Sequence, residues 1–259
     1  MISLQEGLEL STGGVVCFVG AGGKTSLMFR LARELSAGGD SVLTTTTTKI
    51  KMPERSETQE VVISAAAEAI ISRVRQIRTA NFHFTAVAEE LKSRHKLKGY
   101  APEFIDDLWK SRLFRWILVE ADGAAGRSLK APAGHEPVIP ACAGWVIGLA
   151  GLDAAGKTLD DQWVFRPDIF SQLTGLALNR MVSPAAIAAS LTHACGIFKG
   201  SPAAACQYLF LNKAENADRI HAGRDIVKII KKTAPARIKR ILIGNILKNP
   251  PVLEFYDIP

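Results

Sequence analysis

Apolar and polar positions follow two rhythms along this chain. Val15 to Val19 is a short apolar run with β-branched residues and flanking glycines, which predicts a buried strand. Over 24–37 the spacing changes. Leu27, Met28, Leu31, Ala32 and Leu35 fall on one face of a helix, and Gly38-Gly39-Asp40 ends it. Val42 to Thr48 predicts a second strand. Short strands follow at 61–64 and Asn81 to Val87, with a helix over Ala65 to Ile77 between them. Residues 88–112 are charged and read as helix in two pieces, broken near Gly99-Tyr100-Ala101-Pro102. Strands are expected at Arg115 to Glu120, Trp145 to Leu149, Gln207 to Leu211 and Ile238 to Ile243, the last two closing the set. Helices are expected at Pro167 to Leu173, Pro184 to Leu191 and Ala217 to Ile230, two of them opening on proline. Near-continuous apolar strands alternating with helices predict an α/β fold, a mostly parallel sheet with helices on both faces. No internal repeat or long linker interrupts the pattern, so residues 1–259 read as one domain with an elaboration at about 50–112.

Composition narrows the class. The chain has 259 residues, 47% of hydrophobic types and 22% charged, which suits a folded globular protein rather than a disordered one. No apolar run is long enough to span a membrane, and Met1 to Glu6 lacks the basic start of a signal peptide. Cys17, Cys142, Cys195 and Cys206 are scattered without a C-x-x-C pair, which suits a reducing compartment. The expected location is cytoplasmic. The net charge of +7 admits nucleic acid, or an anionic ligand such as a nucleotide. The motifs must decide between them.

Gly20-Ala21-Gly22-Gly23-Lys24-Thr25-Ser26 sits between the first strand and the first amphipathic helix, the context of a phosphate-binding P-loop. Glycines allow a tight wrap whose N–H groups face phosphate oxygens, and the helix N-terminus adds partial positive charge. Lys24 would reach the β- and γ-phosphates, and the Thr25 hydroxyl would ligate Mg²⁺. The strict pattern departs at one place, where Phe18 stands for the first glycine. A dinucleotide fingerprint fits less well, because Lys24-Thr25 replaces its third spaced glycine. The bland alternative is a glycine-rich turn with an incidental lysine.

A second strand end supplies acids. Arg115 to Glu120 runs into Ala121-Asp122-Gly123, so Glu120 and Asp122 share a strand face and can hold Mg²⁺ or orient water. Thr44 to Thr48 ends another strand, and Thr47 or Thr48 could bring a hydroxyl to the metal, although threonine is also a good strand former. Asn212-Lys213-Ala214-Glu215 resembles the Asn-Lys-x-Asp guanine-reading motif, with a longer carboxylate at Glu215. Gly244-Asn245 after the last strand could also approach the base. The segment Gly126 to Pro140 follows the acidic turn and offers Arg127, Lys130, His135 and Glu136 to a second anionic substrate or to transferring phosphoryl charge. A structural loop is its alternative reading. His135 and Glu136 alone do not make a metal site. Gly156-Lys157-Thr158 lacks a following amphipathic helix and reads as loop, with Arg166 near it. Lys24, Glu120, Asp122, Arg127 and Lys130 form the candidate catalytic set, and Thr25, Thr47, Glu120 and Asp122 the candidate metal ligands.

The glycine loop, the run Thr44 to Lys49, Val119 to Gly123, and the block Leu129 to Pro132 with His135 to Pro140 resemble the YqeC family. Gly151-Leu152-Asp153, Arg166-Pro167, Asn212-Lys213 and Gly244-Asn245 fit the same pattern. The resemblance implies a P-loop NTPase-like protein associated with selenium cofactor biosynthesis or the maturation of molybdenum hydroxylases, and it supplies no reaction. Three functions stay open. The first is a Mg²⁺-dependent NTPase binding ATP or GTP and serving a client enzyme or cofactor-biosynthesis protein. The second is a small-molecule kinase with an anionic acceptor. The third is a nucleic-acid binder, suggested by the basic stretches 92–98 and 228–240 but accompanied by no recognised nucleic-acid motif.

Overall fold

The computed structural model describes residues 2–92, 96–233 and 237–258. A short helix α1 (Leu4–Gly7), capped reciprocally by Ser3 and Glu6, leads into β1 (Gly14–Gly20) and α2 (Lys24–Ala37). Then come β2 (Ser41–Thr46), β3 (Lys49–Lys51), β4 (Val61–Ile63), α3 (Ala67–Gln76), β5 (Phe82–Val87), β6 (Glu89–Leu91), β7 (Lys96–Lys98), α4 (Pro102–Lys110) and β8 (Trp116–Glu120). The second half carries β9 (Leu129–Lys130), β10 (Ala143–Gly151), β11 (Val164–Phe165), α5 (Pro167–Thr174), α6 (Pro184–Thr192), β12 (Cys206–Asn212), α7 (Ala217–Thr233), β13 (Ile238–Gly244) and β14 (Val252–Asp257).

Nine strands form one sheet in the order β14-β13-β12-β10-β1-β8-β2-β5-β4. Every neighbouring pair is parallel except β13 with β14. The reason is visible in β1. Val15, Cys17 and Val19 enter one core, and Val16 and Phe18 enter the other, because successive side chains point to opposite faces. A strand buried on both sides must be apolar throughout. The Phe18 core is covered by α1 and α2 through Leu4, Leu27, Met28, Leu31 and Leu35. The opposite core is covered by Ile70 of α3, Ile105 of α4, Phe170 of α5, Ile187 of α6 and Ile226 of α7. Each such fully buried side chain contributes about 1.5–3 kcal/mol of transfer free energy. The α/β class with a mostly parallel, two-sided sheet is therefore as expected. Among the described residues no helix is long and apolar enough to cross a membrane.

Two expectations need correction. Among the described residues of 88–112, only α4 is an α-helix, so the span is not helical in two pieces. Glu89–Leu91 and Lys96–Lys98 are strands, joined with Lys49–Lys51 in a three-stranded antiparallel sheet ordered β3-β7-β6. Each triplet is short, Lys49–Lys51 and Lys96–Lys98 alternate, and Ile50 and Leu97 drop into a small core with Val87. Good helix-forming residue types do not make a helix in segments this short. Within 50–112, β4 and β5 complete one flank of the main sheet. Ile238–Gly244 is not the last strand either. β14 follows it as an antiparallel edge, with Leu253 and Phe255 exposed on its outer side.

Candidate functional site

Parallel strands deliver their C-terminal ends to one rim of the sheet, and the crevice there is where ligands of such folds bind. β1 and β8 are neighbours, with Phe18 opposite Glu120, so the glycine loop and the acidic turn meet directly. The loop is pinned from three separate segments. The Gly20 amide donates to Asp122 Oδ2 at 3.0 Å, Ala21 to the Leu149 carbonyl at 2.9 Å, and Gly22 to the Arg127 carbonyl at 3.0 Å. Its glycines are required by space as well as by conformation. A Cβ on Gly22 (φ +84°) would lie 2.5 Å from the Gly151 nitrogen, and one on Gly23 (φ +125°) would lie 2.6 Å from the Asn212 amide nitrogen. Gly23 caps α2 without any side-chain hydrogen bond, so the first-turn amides of Lys24 to Ser26 keep the orientation an anion would meet.

The acids and bases form a chain. Lys24 Nζ donates to the Gly20 carbonyl at 2.7 Å and lies 3.1 Å from Asp122 Oδ1 and 3.9 Å from Glu120. The Asp122 contact is ionic rather than an aligned hydrogen bond. Lys130 lies 3.0 Å from Asp122 and donates to Glu136 at 2.8 Å and to the Gly123 carbonyl at 2.7 Å. Arg166 closes the chain on Glu136 at 2.5 Å. Three cations and three carboxylates thus alternate, with the Asp122 and Lys130 side chains fully buried. Thr25 donates its hydroxyl to Glu120 at 2.6 Å, and Thr46 donates to the Glu120 carbonyl at 2.6 Å, fixing the strand end.

The family model "YqeC protein" matches residues 16–168, from β1 to the start of α5. The chain belongs to the YqeC family. A relative from Escherichia coli (strain K12), described as "Uncharacterized protein YqeC", is 31% identical over 238 residues, covering 92% of this chain and 90% of that protein. A solved structure of FtsY from Mycoplasma mycoides aligns over 97% of this chain and 66% of its own, with a TM-score of 0.45 and 14% identity.

In this YqeC-family chain, burial and neighbours set the charges. Burial opposes the charge on Lys24, but Asp122 and Glu120 outweigh it and raise its pKa above the ordinary lysine value. Burial pushes the Glu120 carboxyl up, against the pull of Lys24 and the Thr25 hydroxyl. Burial also works against Glu136, yet hydrogen bonds from Arg166 and Lys130 prevail and bring its pKa down to about 2. Among the described residues there is no group of three or more His, Cys, Asp or Glu that could hold a metal.

The other candidates are placed as follows. Thr47 lies beside the acidic turn, but its hydroxyl donates to the Val138 carbonyl at 2.7 Å. Asp122 lies under the loop with both oxygens facing lysines. Arg127 meets the loop through its carbonyl, and its side chain is half-buried. Ser26 is half-buried in the first turn of α2. Asn212 is buried, donating to the Gly22 carbonyl at 2.7 Å and accepting from the Ile246 amide at 3.1 Å, so both ends of its amide are engaged by the protein. Lys213 donates to Ser128 at 2.7 Å and Asp153 at 2.8 Å. Glu215 pairs with Arg219 at 2.5 Å on the outer side. The Gly244 carbonyl accepts from Ala214, and the Asn245 side chain accepts from Leu247, so both shape the loop beside Asn212.

The sequence reading gives Ser128 and Asp153 no role of their own, and of the run Thr44 to Thr48 it is Thr46, rather than Thr47 or Thr48, whose hydroxyl reaches Glu120. Gly151-Leu152-Asp153 was noted as a pattern, but its contact with Lys213 spans 60 residues and has no local signal. The basic stretch 92–98 includes residues 93–95, which lie outside the described residues, as do 234–236 of 228–240. Of the described ones, Lys228 pairs with Asp225, and Arg240 pairs with Glu9 and Asp257.

Proposed function

We propose that the chain is a Mg²⁺-dependent purine-nucleotide-binding protein and a slow nucleoside triphosphatase. The observation that supports this best is the meeting of Lys24 and Thr25 with Glu120, with the Thr25 hydroxyl 2.6 Å from the Glu120 carboxylate at the mouth of a pinned glycine loop. The donor set suits the metal. A hydroxyl and a carboxylate are hard oxygen ligands, and Mg²⁺ is held by one or two carboxylates plus substrate phosphates rather than by a full protein cage. When bound it would neutralise charge developing on the phosphoryl oxygens.

On this reading Thr25 and Glu120 hold the metal, and Lys24 turns from the Gly20 carbonyl to the β- and γ-phosphates. Loop amides from Gly23 to Ser26 take phosphate oxygens. Asp122 and Lys130 act as positioning residues, because they touch the loop and its lysine. Asn212 ties Gly22 to the 245–246 loop, and Lys213 and Glu215 would leave Ser128, Asp153 and Arg219 to meet the base, ATP or GTP. We place the nucleotide cycle in selenium-dependent enzyme maturation, with a client enzyme or cofactor-biosynthesis protein as partner, a reading that the resemblance to the YqeC family supports.

Equilibrium titration of ATP and of GTP, each with and without Mg²⁺, tests the reading, together with phosphate release. Saturable, Mg²⁺-strengthened binding that Lys24→Ala abolishes is expected. Tight binding retained by Lys24→Ala would overturn it.

A further inference from the structure

A second cavity, of about 590 Å³, opens beside the acidic turn. It reaches from Gly123 and Glu136 across to the small sheet of β3, β7 and β6. Its size is that of a small-molecule site. It lies on the β2 side of the glycine loop, whereas Asn212 and the 245–246 loop lie on the β12 side, so the two flanks of the loop face different spaces.

The small sheet has an unusual charge register. Ile50 and Leu97 occupy its buried face. Strand alternation therefore sends Lys49, Lys51, Lys96 and Lys98 to the other face. There Lys49 is directly opposite Lys98, and Lys51 is directly opposite Lys96. Like charges directly opposite one another destabilise a sheet. Glu89, also opposite Lys98, lies 3.5 Å from its ammonium in a largely exposed pair, and among the described residues no other ion pair involves these four lysines. Three of the four, Lys49, Lys96 and Lys98, line the cavity, and His135 joins them from the far wall. The one carboxylate in the lining, Glu136, is already held by Lys130 and Arg166 and so is matched in charge.

The rest of the wall combines Thr47 and Thr48 with two aromatic rings and small residues. Tyr100 is buried with its ring stacked on Phe104 at 4.1 Å between centroids. Phe165 carries the Arg166 guanidinium 4.4 Å from its ring centre, which holds that ring in place. Ala101 and Ala125 leave room between them. Like charges concentrated in register, facing an aromatic-walled space, are accounted for by a ligand that carries the opposite charge on a flat body.

We propose that this cavity binds a small aromatic anion, a flat ring system bearing a phosphate or carboxylate, as the second ligand beside the nucleotide phosphates. The anionic group lies on Lys49, Lys96 and Lys98, and the ring lies against Phe165. The proposal rests on the nucleotide reading only for what its neighbour is.

Naphthyl phosphate is a suitable probe, titrated into the full chain by fluorescence without nucleotide. Saturable binding is expected, weakening as salt rises and stronger than that of neutral naphthol. The double variant Lys49→Gln, Lys98→Gln should weaken it at least about tenfold, and Lys49→Arg, Lys98→Arg should keep it. The glutamine variant should melt no lower than the parent, since it removes opposed like charges. Lys24→Ala should leave probe binding intact. No saturable binding, equal binding by the glutamine variant, or loss of binding in Lys24→Ala would overturn the proposal. A parallel ATP titration of the parent reads the glycine loop alone. Probe binding without ATP binding removes the nucleotide reading and keeps the cavity, and the converse does the opposite.

Discussion

Asp122 is the link at which the buried charge chain is most exposed to test. One of its oxygens lies 3.1 Å from Lys24, and the other lies 3.0 Å from Lys130 and accepts the Gly20 amide at 3.0 Å. Asp122→Ala leaves two lysines, one 4% exposed and one fully buried, facing each other without the anion between them. Lys24 keeps the Gly20 carbonyl and a distant Glu120, and Lys130 keeps Glu136 and the Gly123 carbonyl. Removing one member of a buried pair costs about 3–5 kcal/mol. An orphaned amide adds about 1–3 kcal/mol, which those remaining partners offset in part. The expected net loss is about 3–5 kcal/mol, or roughly 6–20 °C in melting temperature for a chain of this size. Thermal unfolding by circular dichroism at neutral pH measures it. Asp122→Asn, which keeps the shape and an oxygen for Gly20, should fall between parent and alanine. The double variant Asp122→Ala, Lys130→Met should lose less than the sum of its singles, because each single strands a charge that the double removes. An alanine variant melting within about 2 °C of the parent would refute the chain as a source of stability.

Other outcomes follow from the same geometry. The Glu136 pKa is lowered from the ordinary 4.5 to about 2, so its contribution is present above about 4.5 and is lost as pH falls toward 2. Glu136→Gln should flatten acid unfolding across that window, and a parent-like acid limb in that variant would contradict the assignment. Glu120 has the opposite sign. Burial raises its pKa, so its charged form weighs against the fold as pH rises through the folded value. Glu120→Gln should therefore melt higher than the parent at neutral pH while losing Mg²⁺-dependent nucleotide binding, and a lower melting point would count against burial as the dominant cause. Asn212→Ala strips the Gly22 carbonyl and the Ile246 amide of their partners and should cost about 1–3 kcal/mol by urea unfolding. The Thr45 hydroxyl is buried without a hydrogen-bond partner among the described residues, whereas that of Thr44 meets His83 at 3.0 Å and Thr85 at 2.8 Å. Thr45→Val should gain about 1 kcal/mol and Thr44→Val should lose at least as much, so an equal response of the two would discount the contrast.

What was legible in the sequence was what is local. Gly20 to Thr25 could be placed because a strand, its turn and the helix that follows are contiguous, and the turn's glycines announce their backbone. Glu120 and Asp122 were legible for the same reason, at the end of an apolar run. The charge chain was not, because it draws on Lys24, the 120–136 segment and Arg166, which only the sheet order brings together. Asn212 shows the limit most clearly. Its residue type suggested contact with a base, but its partner Gly22 is 190 residues away and no local pattern reports that. The small lysine-faced sheet is hard to read because each strand offers one apolar residue, too few to show period two against residue types that also favour helix.

These long-range ties decide how the glycine loop can work. Gly20 is fixed by the turn after β8, Gly22 by the Arg127 carbonyl and by Asn212 at the end of β12, and Ala21 by β10. A loop held from three neighbouring strands has already met its ordering cost in folding, so a phosphate would find donors in place rather than assemble them. The same ties leave little spare positive charge, since Lys24 and Lys130 are matched by Asp122, Glu120 and Glu136. A bare triphosphate would add several negative charges to a nearly self-compensated site. On the proposed reading a nucleotide must therefore arrive with its own cation, and the affinity gained from Mg²⁺ should be larger in the parent than in Glu120→Gln, where one of those matching acids is gone.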